Sequence, residues 1–422
     1  MKKVLISAYA CIPDRGSEEG NGWHYSSIVS QQGYQVWCLT RDVGKAEIER
    51  KLEQIPHPNL TIVYVTLPRW IDKVYSWGML GLFFHYLYWQ WSTLQVALKL
   101  TKTHQFDLVH HVSYTSLQMG SFLYKLKLPF IYGPVGGGQV APKTMRRYFK
   151  QYWLKEQMRT WMGNLMLRFN PGCYQSVRLA TYVLVWNEDT RRRVQALGRE
   201  KAVVKEFGGV GRSFIPSEPI YRPYQKTLQL VWVGRLMPRK ALELSLHGLS
   251  KVNPQLPVHL TVVGDGEMGK YVPEYISAYN LADRVTWVGN VSYEQVKDYY
   301  RKANVFLFTS LRDTGPAQLM EAMAYSLPVV TLDLHGQAEL VSSSTGIRVP
   351  VTEPEMVATD LAKAIEWMYH NEDKRTSMGL NAFRFAQQQN WETKVNHIVQ
   401  TYYKSMTNQG LGLALAVSQI TN

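Results

Sequence analysis

Short runs of β-branched and aromatic residues recur along this chain, separated by helical stretches of about a dozen residues, and the series occurs twice. The first series reads as strands at 3–8, 35–40, 60–65, 108–112, 130–132 and 182–185. The second reads as strands at 228–233, 258–263, 285–288, 305–308 and 329–332. A strand followed by a helix and another strand requires a crossover, so each series predicts a parallel sheet with helices on both faces. Between them lies FGGVGRSFIPSEPIYRPYQK, residues 207–226, whose glycines and prolines interrupt regular structure before a fresh strand begins. The 422 residues therefore divide into a first domain at 1–210, a linker at 211–226 and a second domain at 227–390. A helix over about 391–406 is expected to pack back toward the first domain, with a tail at 407–422. In open parallel sheets ligands sit beyond the carboxyl ends of the strands, and two such domains facing one another would enclose a cleft.

Charge is divided as unevenly as structure is evenly. Residues 1–226 carry 30 Lys/Arg against 15 Asp/Glu, whereas 227–422 carry 17 against 18. The first half is either a plainly basic solvated surface or the side that meets something anionic, such as a membrane, a phosphorylated acceptor or nucleic acid. Residues 74–98 contain no formal charge. The segment is long enough to cross a bilayer, but it also reads as a buried helix or as one presenting an aromatic face to lipid or acceptor. A span would put the strands at 60–65 and 108–112 on opposite sides of the membrane, so peripheral attachment is expected. The stretch Lys143–Lys155, KTMRRYFKQYWLK, adds basic and aromatic side chains suited to a lipid-linked saccharide. No RNA-recognition signature, helix-turn-helix or basic tail supports nucleic acid as a partner. Cys11, Cys38 and Cys173 are widely spaced and form no zinc or redox motif, which favours a reducing, cytoplasmic home; the basic first half and the uncharged segment place it peripherally on the inner face of the membrane as an expectation.

Three motifs carry chemistry. GDGEMG, 264–269, follows a strand and matches Gly-x-Gly-x-x-Gly, but the next strand ends at Gly289-Asn290 with no acid for a ribose diol, which argues against a nicotinamide or flavin site. VGRLMPRK puts Arg235 at a strand end and Lys240 in a helix's first turn, where two cations can neutralise a pyrophosphate or simply be solvated. SLRDTGPAQLMEAMA, 310–324, ends a strand, turns at Gly315-Pro316 and starts a helix near Ala317, so the amides of Ala317, Gln318 and Leu319 can face an anion. Asp313 and Glu321 lie eight residues apart, able to reach a sugar hydroxyl and a ribose, or to serve as ordinary caps.

GRLMPRK followed by DTGPAQLMEAMAYSLPVV resembles the donor-binding half of the retaining GT-B-fold glycosyltransferases, family 4 in particular. The resemblance runs from Val4 to about Tyr403. It implies an α/β GT-B fold of two Rossmann-like, doubly wound parallel-sheet domains facing a central cleft. It further implies transfer of a sugar from a nucleotide-diphosphate sugar to a saccharide or lipid-linked saccharide. With cations and helix amides to supply the charge, and no Asp-x-Asp pair in the chain, no cofactor and no metal are expected. Arg235, Lys240, Gly264, Gly315, Pro316, Ala317, Gln318, Leu319 and Glu321 then belong to the donor site. Asp313 becomes catalytic at the transferred sugar, and Gly16, in the loop 13–23, approaches the donor phosphates. His110 and His111 end a strand where the family has an active-site histidine. Adjacent residues of a strand point to opposite faces, so one of them is expected in the cleft, His111 by preference. The loop 132–138 is similar to another cleft loop. The chain departs from the pattern with Asp313 where Glu is usual and Ala241 where Gly is usual. A GT-B epimerase and an inactive nucleotide-sugar-binding subunit are the competing readings.

Overall fold

The structure, a computed structural model, describes residues 1–15, 17–198, 203–206 and 208–407. Gly16 and all but the first residue of the expected tail lie outside them. The chain forms two compact units. One comprises Met1–Gly138, Trp161–Gly208 and the chain from Trp391. The other comprises Gln139–Thr160 and Gly209–Asn390.

The first unit holds seven parallel strands: β1 (Lys3–Ala8), β2 (Gln35–Thr40), β3 (Leu60–Tyr64), β4 (Leu108–Ser113), β5 (Phe130–Val135), β6 (Tyr182–Val185) and β7 (Val203–Lys205). Their order is β3-β2-β1-β4-β5-β6-β7. Both faces are covered, which is why β1 and β6 read as nearly continuous apolar runs rather than alternations. Leu5, Leu39 and Val109 face one core with Tyr86 and Trp89 of the helix Gly78–Thr103. Val4, Ile6 and Val36 face another with Trp391, Val395 and Tyr403. The uncharged segment 74–98 is therefore mostly one core helix, and among the described residues no helix is long and apolar enough to cross a membrane.

The second unit holds six parallel strands: β8 (Leu228–Val233), β9 (Val258–Val263), β10 (Val285–Gly289), β11 (Val305–Phe308), β12 (Val329–Leu332) and β13 (Gly346–Val349), ordered β10-β9-β8-β11-β12-β13. Two strands escape the sequence reading, β7 and β13. Each is an edge strand of four residues or fewer carrying a cation, Lys205 or Arg348, too short to show a pattern and charged as exposed edges commonly are.

One assignment is corrected. Residues 139–160, expected in the first domain, belong to the second unit. Met145, Tyr148 and Phe149 fall on one helical face and are buried in the core that contains Leu230, Trp232 and Leu242. Tyr148 Oη pairs with His247 Nδ1 at 2.9 Å. Arg147 and Lys150 are likewise engaged, with Glu355 at 3.1 Å and Glu274 at 3.2 Å, and Lys150 lies over the Tyr275 ring at 4.4 Å. Met145, Tyr148 and Phe149 of the stretch Lys143–Lys155 thus serve a core. Phe149→Ala should destabilise the second unit by about 3–5 kcal/mol in urea unfolding. A loss below about 1 kcal/mol would mean that the segment merely drapes over it.

Candidate functional site

The strand order of the second sheet reverses between β8 and β11, the position at which open parallel sheets have their ligand crevice. The two loops are stitched together by Thr309 Oγ1 donating to Ala241 O at 3.0 Å and Leu311 N donating to Arg239 O at 2.8 Å. Asp313 is the centre of the crevice. Its Oδ2 accepts from Lys240 Nζ at 2.5 Å, Arg239 Nη1 at 3.0 Å and Ser310 Oγ at 3.3 Å, while Oδ1 accepts from Thr314 N at 3.1 Å. Burial pushes the Asp313 carboxyl up, but Lys240 and Arg239 overcome that and hold it well below the usual carboxylate range. Burial pulls Lys240 down from its ordinary value, with Asp313 working the other way.

Beside this triad Arg312 clasps Glu156 in a fork, Nε to Oε1 at 2.5 Å and Nη2 to Oε2 at 3.1 Å, and Arg159 reaches the same carboxylate at 3.1 Å. Burial lowers Arg312 to about 10, and Arg159 adds to that while Glu156 opposes it. Four cations, Arg159, Arg239, Lys240 and Arg312, thus face two carboxylates. The surplus is positive.

Pro316 precedes the helix Ala317–Ala324, which no side chain caps. Leu319 N is used by Pro316 O at 3.1 Å. Ala317 and Gln318 stand at the positions whose amides have no intrahelical partner. The Thr314-Gly315 turn is fixed from behind by Gly336, where a Cβ would stand 1.9 Å from Thr314 O. Inside the helix Glu321 is buried, its two oxygens accepting from Tyr293 Oη and Tyr300 Oη, each at 3.2 Å. Burial raises the Glu321 carboxyl, and the two phenols and Lys240 partly offset it.

Arg235 is exposed and stands apart from the Asp313 cluster, on a groove of about 510 Å³ that Gly234, Gly264, Gly266 and Asn290 also line. Gly264 sits at φ 126°, and a Cβ there would meet Gly234 O at 2.1 Å, so the two loops approach this closely only because residue 264 has no side chain. The structure therefore brings Lys240, Asp313 and the 315–319 turn together, with Glu321 one helical turn behind, and sets Arg235 with Gly264 in the neighbouring groove. Lys240 is not the free cation of the sequence reading, because Asp313 occupies it. Arg239, Arg312, Arg159 and Glu156 were missed. Glu156 and Arg159 come from the segment assigned to the wrong domain, and Arg239 stands beside Lys240 with nothing in the sequence to show that it turns the same way.

In the first unit His110 and His111 do point to opposite faces, and both are fully buried. His110 Nε2 donates to Gly133 O at 2.6 Å and its Nδ1 pairs with Tyr403 Oη at 2.7 Å. Burial pushes this ring down to about 4. His111 stacks on Tyr132, pairs with Ser7 Oγ at 3.2 Å and is pushed by burial down to about 3. Both are thus neutral rings, ordered from within the unit. The loop 132–138 is tied by Gln118 Nε2 donating to Gly137 O at 2.6 Å. The first sheet also reverses order, between β1 and β4, and there Glu18, unnoticed in sequence, accepts from Thr115 N at 2.8 Å and from Thr115 Oγ1. Burial pushes the Glu18 carboxyl up to about 7 against these bonds. Among the described residues no cluster of three His, Cys, Asp or Glu groups could hold a metal ion.

Two doubly wound sheets with this site define the class, the GT-B fold of glycosyltransferases. Anabaena Alr3699/HepE, solved in complex with UDP, aligns over 96% of this chain and 100% of its own at TM-score 0.62 and 18% identity. Residues 217–385 match the glycosyl transferases group 1 family. Uncharacterized glycosyltransferase MJ1178 of Methanocaldococcus jannaschii is 23% identical over 173 residues, 41% of this chain and 47% of the relative. The D-inositol 3-phosphate glycosyltransferase of Rhodococcus erythropolis is 25% identical over 193 residues, 43% of this chain and 42% of the relative. The chain thus spans about half the length of the curated relatives it matches.

Two outcomes follow from the crevice. Ala241 adopts φ 47°, ψ 50°, a left-handed conformation that suits glycine, so Ala241→Gly should stabilise by about 1 kcal/mol in equilibrium unfolding. No gain would mean that the surrounding bonds already absorb the strain. Asp313→Asn leaves Lys240 and Arg239 buried without their counter-charge and should cost about 3–5 kcal/mol near neutral pH. Because the folded carboxyl is depressed, its contribution is complete above the ordinary carboxylate range and is lost as pH falls through the lower folded value. The gap between wild type and Asp313→Asn should therefore close in strong acid; a pH-independent gap contradicts the ion-pair account.

Proposed function

We propose that the chain is a retaining glycosyltransferase that moves a sugar from a nucleotide-diphosphate sugar to a saccharide or lipid-linked saccharide in polysaccharide or glycoconjugate biosynthesis, working in the cytoplasm. The observation that carries this reading is the positive surplus at the β8/β11 reversal, set against the free amides of Ala317 and Gln318. A diphosphate leaving a sugar gains negative charge in the transition state, and preoriented cations and amides stabilise that charge without reorganising. In this reading the bond from the anomeric carbon to the diphosphate oxygen breaks, and the acceptor oxygen bonds the same face of that carbon. The acceptor's proton passes to the departing phosphate, so no enzyme nucleophile is required.

Glu321 takes the ribose, and the groove with Arg235 and Gly264 receives the nucleotide. Asp313 works through Lys240 and Arg239, since four protein donors already fill much of its hydrogen-bonding capacity. Cations in place of a divalent ion make the reaction independent of metal. A uridine nucleotide is the first donor to try, because the Anabaena protein of the same fold was solved with UDP.

The test is thermal unfolding with UDP-, GDP- and ADP-sugars, followed by transfer assays. A bound donor at a hundredfold over its Kd stabilises by about 2.7 kcal/mol. Arg235→Ala should weaken donor binding about tenfold, and transfer should survive EDTA. Loss of activity on chelation with recovery in manganese or magnesium overturns the metal-free reading. Binding with release of a free epimer, or without turnover on any acceptor, would make the chain an epimerase or a silent subunit instead.

A further inference from the structure

The linker at 211–226 carries Arg222, which is fastened into the second unit by backbone carbonyls alone. Nη1 donates to Ile220 O and Ser326 O, each at 3.2 Å, and Nη2 donates to Tyr300 O at 2.9 Å and Tyr325 O at 2.6 Å. Nε is buried with no partner, and among the described residues Arg222 makes no ion pair. Burial lowers this guanidinium to about 10, and Arg375 beside it adds to that. Arg375 has a loose partner in Glu372 at 3.5 Å and donates from Nη1 to Met368 O at 2.6 Å. Tyr325 and Ser326 lie just past the helix Ala317–Ala324, whose negative end offsets about half a charge. Two cations thus face one carboxylate and a helix end, and a positive remainder is left. Arg222 and Arg375 line one cavity of about 130 Å³ with Asn304 and Ser326, and Pro219 and Pro328 form its apolar walls. Asn304 is 7% exposed and Ser326 5%. Asn304 Oδ1 accepts from Gln229 N at 2.8 Å, which fixes the amide and leaves its NH2 end over, and Ser326 Oγ accepts from Ile220 N at 3.0 Å and keeps its proton. Among the described residues neither Asn304 Nδ2 nor the Ser326 hydroxyl proton has an acceptor. Asn304 and Pro328 immediately precede β11 and β12, so the cavity lies at the amino ends of these strands, on the opposite edge of the sheet from the Asp313 crevice.

We propose that this cavity is a binding site for a phosphate group, free or carried by a small ester, and that it is distinct from the candidate donor site. Donors without acceptors and cations without enough acids call for one occupant, anionic and rich in lone pairs. Water can take the two free donors, and the space holds about four waters, but water leaves the charge of Arg222 uncompensated. A carboxylate is the better guest of an open guanidinium fork, which offers two parallel N–H groups. Here the Nη groups of Arg222 are taken by carbonyls, and those of Arg375 are divided between Met368 and Glu372. What remains are donors on separate elements: Asn304 before β11, Ser326 after the helix Ala317–Ala324, and Arg375 on the helix Glu372–Gln388. Donors that converge from separate elements suit a tetrahedral anion with several oxygens. The site stands apart from the transferase reading, because phosphate binding is measured with neither sugar donor nor acceptor present, so either can fail without the other.

The experiment is isothermal titration calorimetry of the full chain with inorganic phosphate, with glycerol 3-phosphate and, as the planar anion, with acetate, paired with thermal unfolding in each. A saturable site for phosphate is expected, about tenfold or more tighter than for acetate. Asn304→Asp keeps the acceptor for Gln229 N and exchanges the free NH2 for a second carboxylate oxygen, so it should weaken phosphate about tenfold or more. Arg375→Gln should do likewise, and it carries the test where Asn304→Asp fails to fold. Glu372→Gln removes the acid that lines the cavity and should tighten phosphate about threefold. Arg235→Ala, in the groove at the other edge of the sheet, should leave this binding unchanged. Tighter binding of glycerol 3-phosphate assigns the site to an ester, and tighter binding of inorganic phosphate assigns it to the free ion. The proposal is overturned if neither phosphate gives a saturable heat or raises the unfolding midpoint, for the cavity then holds water. It is equally overturned if acetate binds as tightly as phosphate, or if Asn304→Asp and Arg375→Gln both bind phosphate like the wild type, for the phosphate then sits elsewhere.

Discussion

The shared oxygen of Asp313 is the constraint on which the second unit's site depends. Lys240 is almost wholly buried and Arg239 mostly so, and neither charge could remain there against the cost of leaving water without a fixed counter-charge. Both contact one carboxylate oxygen, which fixes where the β8 loop must run relative to the β11 loop. Once that distance is set, Thr309 and Leu311 find their partners on Ala241 and Arg239, and Ala241 is forced into a left-handed turn. The same bond that stabilises the crevice therefore strains its margin, and the strain falls on the residue where glycine is the easier choice.

Both sheets place their most perturbed carboxylates at the strand-order reversal, but with opposite electrostatics. At β8/β11 the carboxyl of Asp313 is held down by cations and the neighbourhood remains positive. At β1/β4 the carboxyl of Glu18 has only Thr115 for a partner, makes no ion pair among the described residues, and is lifted to about 7. A crevice of the first kind suits a ligand that arrives negative. One of the second kind suits hydroxyl groups, which can either donate to the carboxylate or accept from the acid near neutral pH. The difference is one of neighbours and not of residue type.

The strands were legible because burial on both faces writes long apolar runs, and those runs survive any local choice of side chain. The residues that meet at the β8/β11 reversal were legible because loops at strand ends concentrate Gly, Pro and charge in short motifs, as at 234–240 and 313–321. Pairing was not legible. Nothing in MPRK tells Arg239 from Lys240, and nothing in the long excursion 139–160 tells that Met145, Tyr148 and Phe149 leave the domain that precedes them, because an amphipathic turn names a buried face without naming the core that buries it. The same ambiguity hid Glu156, whose partner Arg312 stands 156 residues away. His110 and His111 show the converse case: the alternation of a strand correctly separated them, and only the tertiary structure reveals that each side of the sheet is closed over its ring.

The departure at 313 becomes intelligible on these distances. A Glu side chain would carry its carboxylate about 1.5 Å further, beyond the point where Lys240 and Arg239 converge at 2.5 and 3.0 Å. The aspartate is thus matched to cations set close behind it, and its second oxygen closes on Thr314 N, its own neighbour, instead of reaching outward. Under the proposed function, selectivity toward the donor then passes to the groups that the aspartate orients. Lys240 gives Asp313 one of its three ammonium protons. Arg239 already spends Nη1 on Asp313 and on Arg312 O. Under that same function, a shorter acid at this position leaves the donor phosphate to the cations that it orients, a change in the chemistry of recognition made by one methylene.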